Sequence, residues 1–193
     1  MRPATSVLPT PPRWYKHRMG DDNRAAGFSL WVVPEGEVGD RLSGWIDRLA
    51  LRFGTESFQP HVTLLSGISG DEATAREGAA RAAAALSAFI VHLDGVDGRD
   101  EHFRCLFVPA LEPAPLIAAH AIAAHAFGRP PDPSYQPHLS LVYGTLEPAH
   151  KLAIAHEAGS DVDARFEVRR LHLWRTDGVV AEWRELGVFE VKS

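Results

Sequence analysis

Cysteine is almost absent from this chain of 193 residues, which carries one, Cys105. A single thiol excludes an intramolecular disulfide and any cysteine-supported zinc pattern. Long apolar runs are absent too. Crossing a bilayer takes about 18 to 20 apolar residues, and the longest candidate, Ala79 to Val91, is alanine-rich and interrupted by Arg81 and Ser87. The start of the chain shows no apolar core of a secretory signal, so the expectation is a cytoplasmic protein with no membrane partner. Positive charge is in deficit, with 20 basic against 25 acidic residues and a net charge of −5. That balance argues against a protein that tracks long nucleic acid by neutralising phosphates, and leaves open a small phosphorylated substrate or an RNA end. No GxxxxGK[ST] phosphate loop occurs, which removes the common kinase and ATPase readings. The histidines outside the repeat described below form no HExxH and no His-Asp doublet, so no metal and no cofactor are expected.

What the chain does have is a core's worth of apolar residues, 45% of the total, enough for one domain or two closely packed lobes. Residues 1–26 hold Pro3, Pro9, Pro11 and Pro12 without apolar periodicity, and read as a flexible N-terminal extension. Residues 27–193 read as a single bilobal domain. Phe28 to Val33 is a strand closed by Pro34. Leu42, Trp45, Ile46, Leu49 and Phe53 have helical spacing within Val38 to Phe53. Asp71 to Ala88 is a helix and Phe89 to Val96 a strand. The order then repeats: a strand at His102 to Pro109, a helix at Ala114 to Phe127, a strand, and a helix at Glu147 to Ala158. Strands at Ala164 to Thr176 and Val179 to Val191 close the chain, with Asp177-Gly178 as a two-residue hairpin signal. The repeated order implies an internal duplication with a pseudo-two-fold relation between lobes.

At matching places in that order stand two segments of ten residues, Phe58-Gln59-Pro60-His61-Val62-Thr63-Leu64-Leu65-Ser66-Gly67 and Tyr135-Gln136-Pro137-His138-Leu139-Ser140-Leu141-Val142-Tyr143-Gly144. On a strand, side chains alternate faces, so His61 and Thr63 share one face, as do His138 and Ser140, while Val62 and Leu139 point to a core. A lone histidine in a strand is usually structural, but a hydroxyl recurring at the same offset on the same face is not explained by a structural role. In-line displacement at phosphorus needs a base and an acid on opposite sides of the phosphate. Imidazole, with an ordinary pKa of about 6.5, serves as either near neutral pH. His61 and His138 are therefore the candidate catalytic pair, and Thr63 and Ser140 the candidate donors to the non-bridging oxygens. Cys105 reads as a packing residue. Arg165, Arg169, Arg170 and Arg175 read as the solvated face of a strand.

These residues resemble a known family. The paired His-x-Thr and His-x-Ser are similar to the signature of the two-histidine (2H) phosphoesterases, most closely the plant and yeast cyclic phosphodiesterases. The likeness runs from Phe28-Ser29-Leu30-Trp31 and Pro34 through Phe103-Arg104-Cys105-Leu106-Phe107 and His138 to Tyr143, and on to Trp174-Arg175-Thr176-Asp177. The resemblance implies a bilobal α+β fold, with antiparallel sheets lining a central cleft and helices outside. It implies metal-independent opening of ADP-ribose 1″,2″-cyclic phosphate and of nucleoside 2′,3′-cyclic phosphates, the latter to 2′-phosphates. It also places Trp31, Phe103 and Tyr143 among the substrate-binding aromatics. Strict alternation from Ser140 puts Tyr143 on the opposite face, so a bulge or a strand end must intervene if it is to reach the pocket.

The leading expectation is thus a monomeric cyclic phosphodiesterase whose partner is a small cyclic nucleotide or ADP-ribose cyclic phosphate. The nearest rival is an RNA-end enzyme like the 2′,5′ RNA ligase and RNA 2′,3′-cyclic phosphodiesterase branch, using the same four residues. A non-catalytic nucleotide-binding module is the third reading. It would predict loss of one of those residues, and all four are present.

Overall fold

Pro34 closes the first strand, β1 (Phe28–Val32), because it has no N–H to continue a ladder, and helix α1 (Gly36–Phe53) follows two residues later. Leu42, Trp45, Ile46 and Leu49 form the buried stripe of α1, and Gly54 ends it in the left-handed conformation (φ +65°), its N–H bonding to Ala50 O. The computed structural model describes residues 23–192. Residues 1–22, most of the expected extension, lie outside the described residues. The rest of the chain runs β2 (Val62–Ile68), α2 (Glu72–Ala85), β3 (Phe89–Leu93), β4 (Leu106–Pro109), α3 (Ala114–Ala126), β5 (His138–Val142), α4 (Pro148–Ala158), β6 (Ala164–Val168), β7 (Arg170–Arg175) and β8 (Arg184–Glu190). Asp71 caps α2 by accepting from Thr74 N at 2.8 Å.

The duplication is visible in the pairing. One six-stranded sheet has the order β4-β5-β2-β1-β7-β8 and a second pairs β3 with β6. All of these ladders are antiparallel. The two histidine strands, β2 and β5, lie side by side at the centre, meeting at Val62 and Leu139. Each half contributes one strand to the smaller sheet. Helix α1 packs against β5 and α3 against β2, so each half's first helix covers the other half's histidine strand. α2 and α3 approach through small residues: a Cβ added to Gly78 would stand 2.3 Å from a ring carbon of Phe127. Leu42, Leu64, Leu116, Leu139 and Ile154 are among the buried members of one continuous core.

Both histidine strands carry the same bulge. Leu30 and Trp31 of β1 face Leu65 and Thr63 of β2, so Leu64 is the extra residue. Leu106 and Phe107 of β4 face Val142 and Ser140 of β5, so Leu141 is extra there. A bulge resets the alternation, and β5 ends at Val142. The two devices together bring Tyr143 to the face of Ser140.

Four sequence expectations are corrected. The strand expected from His102 begins at Leu106, because His102–Arg104 winds into a 3-10 turn closed by Arg104 N on Glu101 O. Cys105, buried, precedes that strand. The strand expected from Ala164 to Thr176 breaks at Arg169, β6 joining the small sheet and β7 the large one. Val168 and Leu171 are both buried, a spacing of three that one period-two strand cannot place on one face. Asp177-Gly178 makes no two-residue hairpin; β7 and β8 pair from Arg175 and Arg184 onward, across a longer connection holding a 3-10 turn at Val180–Glu182. Its polar groups are taken elsewhere: Asp177 Oδ1 accepts from Gly27 N at 2.6 Å, and Gly178 exchanges two backbone bonds with Ala25. That exchange also corrects the boundary at Gly27, since Ala25 is already tied to the domain. Among the described residues no helix is long and apolar enough to cross a membrane.

Candidate active site

The opening Gln-Pro-His of each copy is a device for aiming a ring. Proline fixes its own φ and pushes the residue before it into extended backbone, which turns the glutamine carbonyl toward the histidine two residues on. His61 Nδ1 lies 2.6 Å from Gln59 O and His138 Nδ1 lies 2.8 Å from Gln136 O. A carbonyl only accepts, so each Nδ1 carries the proton, and each Nε2 is left with a lone pair or a second proton for chemistry. His61, Thr63, His138 and Ser140 all line one cleft of about 580 Å³. The structure therefore brings the four candidate residues together.

The hydroxyls are not equivalent. Ser140 Oγ donates to Phe103 O at 2.9 Å. The Thr63 hydroxyl makes no hydrogen bond with the described residues, although Thr63 O accepts from the Tyr135 hydroxyl at 2.9 Å.

Trp31, Phe103 and Tyr143 also line the cleft, in three different ways. Trp31 is 2% exposed. Its ring is stacked with His61 at 3.5 Å and with Trp174 at 4.6 Å, so it backs the histidine more than it offers a face to a ligand. Tyr143 is buried and stacks on Phe58 at 3.9 Å, with its hydroxyl 3.4 Å from His61 Nε2. Burial raises its pKa, keeping the phenol protonated. Phe103 is half-buried and meets Tyr143 edge-on at 5.1 Å.

Burial sets the electrostatics. His61 is 5% exposed, and desolvation brings its pKa down to about 4; the Gln59 carbonyl opposes this and the like charge of His138 adds to it. His138 is only half-buried. Its pKa is lowered as well, first by burial and also by the Arg104 guanidinium, against the raising effects of the Gln136 carbonyl and Glu101.

Sequence reasoning missed several cleft residues. Arg104 reaches Gln136 Oε1 at 2.6 Å and stands beside His138. Trp183 meets Trp31, Phe103 and Tyr143 within about 6 Å. Tyr135 stacks on His120 at 4.2 Å, and His120 Nδ1 donates to Leu64 O while its Nε2 accepts from Asp132 N. One signal was available: both repeat copies open on an aromatic, and Tyr135 lines the cleft while Phe58 stacks behind the cleft residue Tyr143. Arg169, Arg170 and Arg175 pair with Glu167, Glu35 and Asp177, away from the cleft. Among the described residues no group of three or more His, Cys, Asp or Glu side chains is placed to hold a metal ion.

The chain is similar to known proteins in sequence and in fold. The chain is 28% identical to the cyclic phosphodiesterase of Arabidopsis thaliana over 156 residues, spanning 78% of this chain and 85% of the relative. Its fold is similar to that of E. coli LigT in apo form (TM-score 0.60, 12% identity, 88% of this chain and 99% of LigT). TT0787 of Thermus thermophilus has a similar fold too (TM-score 0.57, 17% identity, 86% and 98% of the two chains). The family model of the 2′-5′ RNA ligase superfamily matches residues 38–180, from α1 past both histidine strands, and the chain belongs to that superfamily of two-histidine phosphoesterases.

Proposed function

We propose that the protein is a metal-independent cyclic phosphodiesterase. Its substrates are a small cyclic phosphate, ADP-ribose 1″,2″-cyclic phosphate or nucleoside 2′,3′-cyclic phosphates, the latter opened to 2′-phosphates. The observation that carries the reading is the matched pair of imidazoles, each with Nδ1 fixed on a glutamine carbonyl and both lining one cleft. His61, held neutral by burial, is the base, and the more exposed His138 is the acid. His61 Nε2 takes a proton from water as the water oxygen bonds to phosphorus. The P–O3′ bond breaks, and its electron pair takes the Nε2 proton of His138, giving the 2′-phosphate and a free 3′-hydroxyl. Thr63 and Ser140 donate to the non-bridging oxygens where charge accumulates. The name of the Arabidopsis relative and the family match support this class of reaction.

An RNA 3′ end bearing the same cyclic phosphate is the second reading, favoured by the superfamily's description and by a cleft that extends beyond the histidines. A hydrolysis panel decides between them. ADP-ribose cyclic phosphate, the four nucleoside 2′,3′-cyclic phosphates, 3′,5′-cyclic nucleotides and a cyclic-phosphate-ended RNA are compared with EDTA present throughout. Turnover of the small 2′,3′-cyclic substrates to 2′-phosphates is expected. Turnover of the RNA alone would favour the second reading, and loss of all activity on chelation, restored by one metal, would remove the acid-base mechanism.

A further inference from the structure

The cleft has two unlike ends, and the chemistry above uses the middle. Tyr143 marks one end, its hydroxyl at His61, with Phe103 and Trp183 around it. Along β2 the chain runs away from that end, from His61 to Ser66 and Gly67. Five residues of strand cover roughly 16 Å. There the lining turns polar, with Ser66, Arg129 and Ser134.

Arg129 is exposed, in the loop just after α3. Its Nη1 donates to Ser66 O at 2.8 Å and to Gly67 O at 3.4 Å. Carbonyl bonds fix a guanidinium without neutralising it. Among the described residues no carboxylate pairs with Arg129, and its Nε and Nη2 make no hydrogen bond. Asp132, the acid at this end, has Oδ1 occupied by Ser134 N and Oγ. Arg104 differs, being bonded to Gln136 and 3.7 Å from Glu101. A fixed fork with unspent charge and free donors matches a phosphate.

The geometry of ribose says which phosphate. The cyclic phosphate of a nucleoside 2′,3′-cyclic phosphate spans C2′ and C3′, and the base on C1′ and the 5′ carbon on C4′ stand beyond the two ends of that edge, both on the ring face opposite the cyclic phosphate. With the cyclic phosphate at the histidines, a base at the aromatic end sends the 5′ oxygen toward the polar end.

We propose that Arg129 forms a second anion subsite, which binds a phosphate carried on the 5′ oxygen of the ribose whose cyclic phosphate is opened. This rests on the reading of the site as a cyclic phosphodiesterase. It selects 5′-phosphorylated substrates, the ADP-ribose class included, over bare nucleoside cyclic phosphates.

The test compares adenosine 2′,3′-cyclic phosphate with its 5′-phosphorylated counterpart in the full chain and in Arg129→Gln, Arg129→Lys and Arg129→Glu. A hydrogen bond to a charged partner contributes about 1.5 to 3 kcal/mol, so the wild type should prefer the 5′-phosphate by about tenfold or more in kcat/KM. The ratio should fall to about one in Arg129→Gln, drop below one in Arg129→Glu and survive in part in Arg129→Lys. A wild-type ratio of one, or an advantage that persists in Arg129→Gln, overturns the subsite. Calorimetric titration with adenosine 2′,5′-bisphosphate and adenosine 2′-phosphate gives the same comparison without turnover. The bisphosphate should bind more tightly to wild type and not to Arg129→Gln. If neither cyclic substrate is hydrolysed but this difference holds, the hydrolase reading fails and the subsite stands; equal binding of both ligands by wild type ends the subsite whatever the enzyme hydrolyses.

Discussion

His61 lies under Trp31, against Tyr143 and Phe58, and is 5% exposed. His138 is half-buried, beside Phe107 at 4.9 Å and under the influence of Arg104 and Glu101. Their backbones are nearly interchangeable: the same Gln-Pro lead, the same Nδ1 bond, the same bulge after the hydroxyl. Trp31 and Phe107 occupy corresponding places, each paired with its motif's hydroxyl residue. What differs is the wall. Where the second copy has Tyr143 before its glycine, the first has Ser66, so one end of the cleft is closed by aromatic rings and the other opens to solvent. A duplicated chain thus supplies two matched imidazoles, and differences in the lining, burial first and then the charges of Arg104 and Glu101 beside His138, give them unequal proton affinities.

Removing either ring tests that inequality with the largest expected effect. His61→Ala and His138→Ala should each lower kcat/KM by about 10² to 10⁴-fold, the usual contribution of one general acid or base. The pH profiles should separate them. In the free wild-type enzyme, activity rises as His61 loses its proton near pH 4 and falls as His138 loses its own below the ordinary value of about 6.5. The kcat/KM optimum should therefore lie between those values. Bound phosphate favours protonation of both rings, so the kcat profile should sit at higher pH. Loss of the acid limb in His61→Ala and of the alkaline limb in His138→Ala supports the assignment. The opposite pattern reverses the roles, and near-wild-type rates in either variant end the two-histidine mechanism.

The symmetric part of this picture was legible in the sequence, because repetition needs no knowledge of contacts. Two copies of Gln-Pro-His, the recurring hydroxyl and the repeated order of elements pointed to two matched histidine strands, side by side or face to face across a cleft, and the structure shows them side by side. The asymmetric part was not. Arg104 and Arg129 stand outside the repeat and reach the cleft only through tertiary packing, and Trp183 lies where the sequence read as the last strand, Val179 to Val191, but the chain makes a 3-10 turn before β8. Trp31 looked like a ligand-binding aromatic because the resemblance put it there, and only its stacking on His61 shows it behind the ring. Tyr143 needed a bulge, and hydrophobic alternation carries no mark of the extra Leu141.

The same contrast should appear in stability. A histidine whose folded pKa lies below its unfolded value favours folding while neutral, so its contribution is complete above the unfolded pKa of about 6.5 and is lost as pH falls. For His61 the loss runs from about 6.5 down to about 4, and a shift of that size corresponds to about 3 kcal/mol, gone once pH is below both values. Urea unfolding of His61→Gln, a neutral ring replacement, should show a smaller drop in stability between pH 7 and 4 than the wild type. His138→Gln should leave more of the drop in place, because its ring is less buried. Parallel curves for the two variants would mean that the burial difference does not reach their proton affinities.

The smallest effects should come from the hydroxyls, and they too should differ between the copies. Thr63 Oγ1 makes no hydrogen bond with the described residues, so its donation to a phosphate oxygen costs none of the bonds seen there. Ser140 Oγ already donates to Phe103 O at 2.9 Å and must give up that bond to serve the substrate. A hydrogen bond to a charged partner is worth about 1.5 to 3 kcal/mol and a neutral internal one about 1 kcal/mol. Thr63→Val, which keeps the side-chain shape, should therefore lower kcat/KM by roughly the full charged-bond amount with unfolding free energy little changed. Ser140→Ala should lower kcat/KM by about 1 kcal/mol less, and should also destabilise the fold by about 1 kcal/mol, because the Phe103 carbonyl loses its donor. Steady-state kinetics and denaturant titration on the two variants measure both quantities. Equal kinetic losses with no stability change in Ser140→Ala would show that the serine is as free as the threonine, and the two halves of the site would then be equivalent at phosphorus after all.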